Sequence, residues 1–341
     1  MRRALVWLVA AAITGALAAC STQESSTPRA TLPAPASTST TSTTTTTVAA
    51  ATTVDAGPTT IATTTTSTTT TTSLPSAPAA TSIPIIVGGD SDGWLYLGAW
   101  NVDEWSGAFD DGGDPVEVDL TGGGANPVFA VNALGRPETT ARIGPNTEAC
   151  FDGRVGPTLD VEVEAPEPPG FGYAAIAVPD ADRVRKPRPI AVVSGGAAVY
   201  QDLGEAAVEG EPVDGSLGSV EQTVVTDLDG DGDDEALVVF EHVQQGIGPG
   251  TAGDFSTLLL VDTSSRSTST VIGSLVPDDL PEDGFPLIEQ FRVLDVLDLN
   301  GDGRMEVVVH AWYYEGASVV VFEHDAETDE LTQVLANGCG A

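Results

Sequence analysis

Hydrophobic and polar positions divide the chain into three stretches. Residues 4–19 are largely apolar, residues 21–84 hold almost only Ser, Thr, Ala and Pro, and from residue 85 short apolar runs alternate with turn residues. The middle stretch has too little apolar surface to offset the entropy of ordering it. We therefore predict a disordered Ser/Thr/Pro-rich stalk over 21–84, followed by a segment long enough to bury a core.

The segment after the stalk predicts an all-β domain. Its apolar runs are short and rich in Val, Leu and Ile, and Gly, Asp or Pro separates them. This pattern is typical of strands rather than of amphipathic helices. The predicted strands include residues 94–97, 116–118, 128–131, 159–163, 173–178, 190–193, 224–225, 236–240, 256–261, 291–294, 307–309 and 317–322.

The first 20 residues predict a lipoprotein signal peptide. A basic start, Met1-Arg2-Arg3, precedes an apolar stretch of 16 residues, which is shorter than the ~20 residues that a transmembrane helix needs. The stretch ends in Leu17-Ala18-Ala19-Cys20, which resembles a bacterial lipobox. This resemblance implies that Cys20 becomes the lipidated first residue of an exported protein anchored to the cell membrane. The alternative, an uncleaved anchor helix, also places the domain outside the cytoplasm.

Two further cysteines, Cys150 and Cys339, lie in the domain. A pair of cysteines in an exported protein is a candidate disulfide. We predict a bridge between them that ties the C-terminus to the early part of the domain. Two free buried thiols are the alternative.

The charge of the domain excludes nucleic acid as a partner. The whole chain has 13 basic and 50 acidic residues. Three of the basic and two of the acidic residues precede residue 85, so the domain carries 10 basic and 48 acidic residues, a net charge of −38. A field of that sign repels phosphate backbones and concentrates divalent cations.

Two acidic segments of the domain, 227–235 and 298–306, share one pattern. Oxygen-bearing side chains occupy positions 1, 3, 5 and 9, and glycines occupy positions 4 and 6. Ca2+ takes six to eight oxygen ligands, and glycine permits the tight backbone curl that brings alternate side chains together. Position 7 can contribute its backbone carbonyl. The predicted Ca2+ residues are Asp227, Asp229, Asp231, Asp233 and Glu235 in the first segment, and Asp298, Asn300, Asp302, Arg304 and Glu306 in the second.

The flanks of these loops indicate a repeat built from strands. An EF-hand would place helices beside each loop, but β-like runs occur on both sides, and the two loops start 71 residues apart. The predicted unit is strand, Ca2+ loop, strand, turn, strand. It resembles the FG-GAP or VCBS repeats of integrin-α-type β-propellers, a resemblance that covers roughly 171–341. It implies a small or incomplete β-propeller-like repeat domain with Ca2+ in its loops.

The part of the domain before the repeats, 85–170, is β-rich by the same pattern. The sequence is compatible with two arrangements of this part: strands of the propeller, or a separate β-sandwich that precedes the repeat units.

A third, degenerate copy of the repeat is predicted upstream of the two loops. Its strands would be 173–178 and 190–193, and its loop would contain Asp180 and Asp182 without the later metal ligands. We expect a basic side chain to replace the metal as the countercharge of the two aspartates. A basic surface loop of no special role is the alternative. The basic residues of this segment are Arg183, Arg185, Lys186 and Arg188.

These features predict a binding protein rather than an enzyme, and we identify no catalytic residues. The repeat resemblance implies that the Ca2+-stabilised domain binds a surface protein or a polysaccharide. The alternatives are a carbohydrate-active enzyme of the cell envelope and a purely structural envelope lipoprotein.

Overall fold

A computed structural model describes most of the chain after residue 81. The predicted signal peptide with Cys20, residues 21–81 of the predicted stalk and Cys150 lie outside the described residues. The last two residues of the predicted stalk, 83 and 84, belong to the first strand, Ile83–Gly89. Cys339 forms a disulfide bond, and its pairing with Cys150 stays a prediction. Among the described residues, no helix is both long and apolar enough to cross a membrane. The described residues are 82–89, 93–101, 103–109, 116, 120, 128–136, 138–148, 155–161, 174–179, 186, 188–193, 198–246, 248–277, 280, 284–325 and 328–340.

The described residues form three antiparallel sheets, of seven, five and four strands. The predicted all-β class is confirmed. One α-helix, α1 (Ala198–Ala207), and one short 3-10 helix accompany the strands in the described part. The strands are β1 (Ile83–Gly89), β2 (Gly93–Asn101), β3 (Glu104–Gly107), β4 (Val128–Asn132), β5 (Thr139–Glu148), β6 (Val155–Val161), β7 (Ala175–Pro179), β8 (Ala191–Val193), β9 (Ser219–Thr226), β10 (Glu235–His242), β11 (Phe255–Asp262), β12 (Thr268–Leu275), β13 (Gln290–Leu297), β14 (Glu306–Tyr313), β15 (Gly316–Asp325) and β16 (Glu330–Gly340).

Two of the sheets are built on the same plan. The four-stranded sheet runs β13-β14-β15-β16, and the five-stranded sheet runs β12-β11-β10-β9-β8. Strands β9 to β12 and β13 to β16 therefore each form a four-stranded meander. The two acidic segments occupy the same place in both meanders, between the first and second strands. The seven-stranded sheet has the order β3-β2-β1-β7-β4-β5-β6.

The four-stranded sheet is buried on both faces. In β14, Val308 packs in a cluster with residues of the seven-stranded sheet such as Leu97. Its neighbours Val307 and Val309 point the other way and pack with residues of the five-stranded sheet such as Leu237. Because successive side chains of a strand point to opposite faces, both faces need apolar residues. This explains why the sequence shows uninterrupted Val runs here.

Helix α1 covers the other face of the five-stranded sheet. Tyr200 and Leu203 of the helix pack against Val238 and Leu259 of the strands. The strand pattern did not predict this helix. It is only ten residues long, and isolated helices of that length are marginal in water, so packing on the sheet stabilises it.

The predicted third copy of the repeat is wrong. Its two strands, β7 and β8, lie in different sheets. β7 pairs with β1 and with β4 in the middle of the seven-stranded sheet, whereas β8 pairs with β9 at the edge of the five-stranded sheet. Residues 174–178 are all buried. A strand whose residues are all buried needs neighbouring strands on both edges and packed elements on both faces. A small separate sheet would not provide them.

Candidate metal centre

The first acidic segment forms a tight loop between β9 and β10. The Asp227 carboxylate accepts hydrogen bonds from the backbone N–H groups of Gly230 (2.5 Å) and Gly232 (3.2 Å). Both glycines have positive φ, 87° and 98°, a conformation that other residues adopt only with strain. Asp229 Oδ1 accepts a hydrogen bond from Asp231 N–H at 3.1 Å. The loop is thus curled around its own side-chain oxygens.

Glu235 closes this loop from the first position of β10. Its Oε2 accepts a hydrogen bond from Leu228 N–H at 2.7 Å, which turns the carboxylate back toward the loop. Ligand oxygens of Asp227, Asp229 and Glu235 all lie within 4.8 Å of one another, close enough to share one metal ion. Asp231 lies outside this group of three. Asp233, at position 7, is exposed, and its N–H group donates to Asp231 Oδ1 at 2.8 Å.

The second loop, between β13 and β14, repeats these contacts position by position. Asp298 accepts from Gly301 N–H (2.7 Å) and Gly303 N–H (3.2 Å), and both glycines again have positive φ, 82° and 91°. Glu306 Oε2 accepts from Leu299 N–H at 2.6 Å. The remaining equivalent bonds join Asp302 N–H to Asn300 Oδ1 at 2.9 Å and Arg304 N–H to Asp302 Oδ1 at 2.8 Å.

Burial raises the pKa of the glutamate at the ninth position of each loop. Desolvation raises the pKa of Glu235 to about 7 and that of Glu306 to about 9. Neighbouring aspartates of the same loop raise both pKa values further, against a hydrogen bond from the backbone that lowers them. Burial also raises the pKa of Asp298. Glu306 is fully buried, and its Oε1 has no hydrogen-bond partner among the described residues.

The two loops contact each other. The N–H group of Met305, at position 8 of the second loop, donates to the carbonyl of Leu228, at position 2 of the first, at 2.9 Å. Arg188 lies in the same place, and its guanidinium donates to three backbone carbonyls of the two loops. It bonds Asp227 O, Leu228 O at 2.6 Å and Gly303 O at 2.8 Å.

Two basic residues before β8, Lys186 and Arg188, contact neighbouring elements of the structure. Lys186 pairs with the buried Asp295 of β13 at 2.8 Å, and Arg188 binds the two acidic loops. Neither contact fits the predicted role as a countercharge for the two aspartates of a degenerate copy. Those aspartates, Asp180 and Asp182, and the other two basic residues, Arg183 and Arg185, lie outside the described residues.

Glu323 of β15 is a further acidic residue beside the second loop. Its Oε1 accepts a hydrogen bond from Asn300 Nδ2 at 3.4 Å, and its Oε2 accepts one from the Trp105 indole at 3.2 Å. The bond to Nδ2 leaves the Asn300 side-chain oxygen directed toward its own loop. The sequence pattern did not identify Glu323, because it comes from a strand distant in sequence from position 3.

Both loops present oxygen donors, the type of ligand that Ca2+ prefers. Three carboxylates of the first loop converge, and the second loop has a buried carboxylate oxygen without a partner among the described residues. The predicted residues therefore fit a Ca2+ ion. No family model, curated protein or solved structure matches this chain.

Proposed function

We propose that this chain is a Ca2+-binding lipoprotein, exported and lipid-anchored through Cys20. One Ca2+ ion binds in the loop 227–235 and another in the loop 298–306. The ions stabilise a β-propeller-like repeat domain of the FG-GAP or VCBS type. That domain binds a surface protein or a polysaccharide outside the cytoplasm.

The Ca2+ sites are supported most directly by Glu306. A carboxylate with one oxygen buried and without a hydrogen-bond partner loses solvation that a neighbouring cation would restore. The same carboxylate belongs to a loop whose hydrogen bonds match those of the first loop at every equivalent position. Two copies of one geometry, at equivalent places in two sheets, favour a shared ligand over two unrelated acidic turns.

The ions act on stability through charge. The first loop holds four carboxyl groups at ligand positions and the second holds three. Without a cation these groups repel one another when they are ionised, or they keep protons, as the raised pKa values of Glu235 and Glu306 indicate. Each loop joins the first two strands of its meander, so a bound ion would hold those strands in register. At a free Ca2+ concentration ten times Kd, each site adds about 1.4 kcal/mol to the free energy of unfolding.

Thermal unfolding of the purified full chain tests this proposal. In millimolar Ca2+ we expect a Tm about 5–10 °C higher than in excess EDTA, since two sites contribute about 3 kcal/mol in a domain of this size. Asp229→Ala together with Asp302→Ala should abolish the difference. Asp233→Ala together with Arg304→Ala is the matched control, because position 7 contributes only its carbonyl, and it should keep the difference. Equal Tm values in Ca2+ and EDTA for the unaltered chain would overturn the proposal.

The proposed binding of a surface protein or a polysaccharide rests on the sequence resemblance. Immobilised full chain, loaded with Ca2+, should retain one envelope protein or polysaccharide fraction and release it in EDTA. The variant Asp229→Ala with Asp302→Ala should retain less of that fraction, and the position-7 control should retain as much as the unaltered chain. Equal retention by all three chains would show that the Ca2+ loops do not support binding.

A further inference from the structure

Arg188 contacts both loops and joins them in addition to the direct Met305–Leu228 hydrogen bond. The Arg188 side chain is 16% exposed and faces Asp227, whose side chain is 15% exposed. Besides its three carbonyl acceptors, it lies 3.7 Å from the Asp227 carboxylate, the first ligand position of the first loop. Its positive charge also acts on Asp298, the first ligand position of the second loop. One side chain therefore contacts the ligand-bearing backbone of one loop and the glycine turn of the other.

The shape of the guanidinium group suits simultaneous hydrogen bonds to the carbonyls of both loops. It is planar, it carries five N–H donors in a fixed fork, and it stays protonated. Here its Nε, Nη1 and Nη2 each serve a different carbonyl. A lysine ammonium has no such fork, so it would not hold three carbonyls from two loops in one fixed arrangement.

Two hydrogen bonds and the covalent chain between them form a path that joins the two closing glutamates. Glu235 accepts from Leu228 N–H, Leu228 O accepts from Met305 N–H, and Met305 precedes Glu306 in the chain. Arg188 Nη2 bonds the same Leu228 carbonyl. An ion that fixes Glu235 and Asp227 in the first loop would also fix the Leu228 peptide, and with it the backbone that positions Glu306.

We propose that Arg188 couples the two Ca2+ sites, so that an ion bound in either loop raises the affinity of the other loop. This inference rests on the proposed Ca2+ function. The first ion orders the peptide groups that both loops share through Arg188. The second ion then binds a loop whose ordering cost has already been met, which is positive cooperativity.

The charge of Arg188 has a separate effect that must be distinguished from coupling. A positive charge near two cation sites weakens both, so its removal alone changes the affinity of each loop. That change does not depend on whether the other loop is occupied. The measurement that isolates coupling is therefore the ratio of affinities of one loop with the other loop intact and disabled.

Calorimetric Ca2+ titration of the full chain measures this ratio. Asp229→Ala with Asp231→Ala disables the first loop, and Asn300→Ala with Asp302→Ala disables the second. We expect the remaining loop to bind Ca2+ at least about fivefold more weakly than in the intact chain, the lower end of typical couplings. With Arg188→Ala or Arg188→Lys added, the ratio should fall to about one. Lys186→Ala is the matched control, because it removes a neighbouring cation that contacts Asp295 and not the loops, and it should keep the ratio.

A second measurement leaves Arg188 unaltered and so does not depend on how its variants fold. In the chain with Asn300→Ala and Asp302→Ala, Ca2+ binding to the first loop should slow hydrogen exchange of the Met305 amide about fivefold. An unchanged exchange rate would overturn the inference, as would a ratio near one in the chain with Arg188 intact or a ratio that survives both Arg188 variants. Two bound ions without coupling would refute this inference alone, whereas absence of Ca2+ binding would refute the proposed function with it.

Discussion

At the scale of single residues, the buried glutamates make the metal-free protein sensitive to pH. The pKa of Glu235 rises from 4.5 to about 7, and that of Glu306 rises from 4.5 to about 9. Between pH 4.5 and those values the folded state keeps protons that the unfolded state releases. The free energy of unfolding therefore falls as pH rises through this interval.

We expect the Tm of the full chain in excess EDTA to decrease from pH 5.5 to pH 8.5. Saturating Ca2+ should reduce this decrease, because the ion stabilises the ionised carboxylates and its binding releases their protons. In EDTA, Glu306→Gln should show a smaller decrease than the unaltered chain, since glutamine does not titrate. A Tm that rises or stays constant over this interval in EDTA would contradict the prediction.

The sequence indicated the candidate ligands of each loop because they lie within nine residues of one another and follow a fixed spacing. Arg188 could not be predicted in the same way. It acts on carbonyls 39 to 115 residues away, and backbone carbonyls carry no sequence signature. The one available signal was a cluster of basic residues in a strongly acidic domain, and the cluster does not reveal which loop it serves.

At the scale of elements, each loop depends on glycines that hold positive φ. At Gly303 (φ +91°) no atom lies within 4 Å of a Cβ placed there. The cost of Gly303→Ala is therefore conformational rather than steric. We expect it to lower the free energy of unfolding by about 1–2 kcal/mol, measured with urea in EDTA.

The control for this substitution is Gly248→Ala. A Cβ at Gly248 also meets no atom within 4 Å, but its φ lies outside the positive range. We expect the control to change the free energy of unfolding by less than about 0.5 kcal/mol. Equal effects of the two substitutions would show that the loop backbone does not require glycine.

Strands and helix differ in how far the sequence predicted them. Most described strands were predicted, because runs such as 236–240 and 317–322 must be apolar on both faces. Helix α1 was not predicted, because its apolar stripe is short. A Cβ at Gly204 of the helix would lie only 2.5 Å from ring atoms of Phe240, so the close packing here requires glycine, a residue of low helix propensity.

At the scale of the whole molecule, the sequence pattern that predicts the strands does not indicate which sheet each strand joins. The sequence predicted β7 as the first strand of a repeat, but β7 pairs with β1 and β4. Its pairing depends on contacts between segments far apart in the chain, and local periodicity carries no information about them. The contact between the four-stranded and five-stranded sheets is likewise visible only in the structure.

A buried ion pair links these two sheets beside their apolar contact. Arg292 of β13 binds Glu241 of β10 with both terminal nitrogens, at 2.9 and 3.2 Å, and Ser256 donates to the same carboxylate at 3.0 Å. The two charged side chains are only 17% and 9% exposed. Removal of Glu241 leaves the largely buried Arg292 charge without a carboxylate, and loss of one partner of a buried ion pair typically costs 3–5 kcal/mol.

At one fixed Ca2+ concentration, we expect Glu241→Ala to lower the free energy of unfolding by about 3 kcal/mol, measured with urea. Glu241→Leu with Arg292→Leu should cost less than the single substitution, because no charge is then left unpaired and apolar contact replaces the pair. Glu209→Ala, at an exposed acidic position beyond α1, is the control and should change the free energy by less than about 0.5 kcal/mol. If the double variant instead lost the sum of the losses of Glu241→Leu and Arg292→Leu measured singly, the pair would contribute no coupling between the sheets. Their association would then depend on the apolar cluster and on the remaining hydrogen bonds between the sheets, such as those that join Gln222 to Val293.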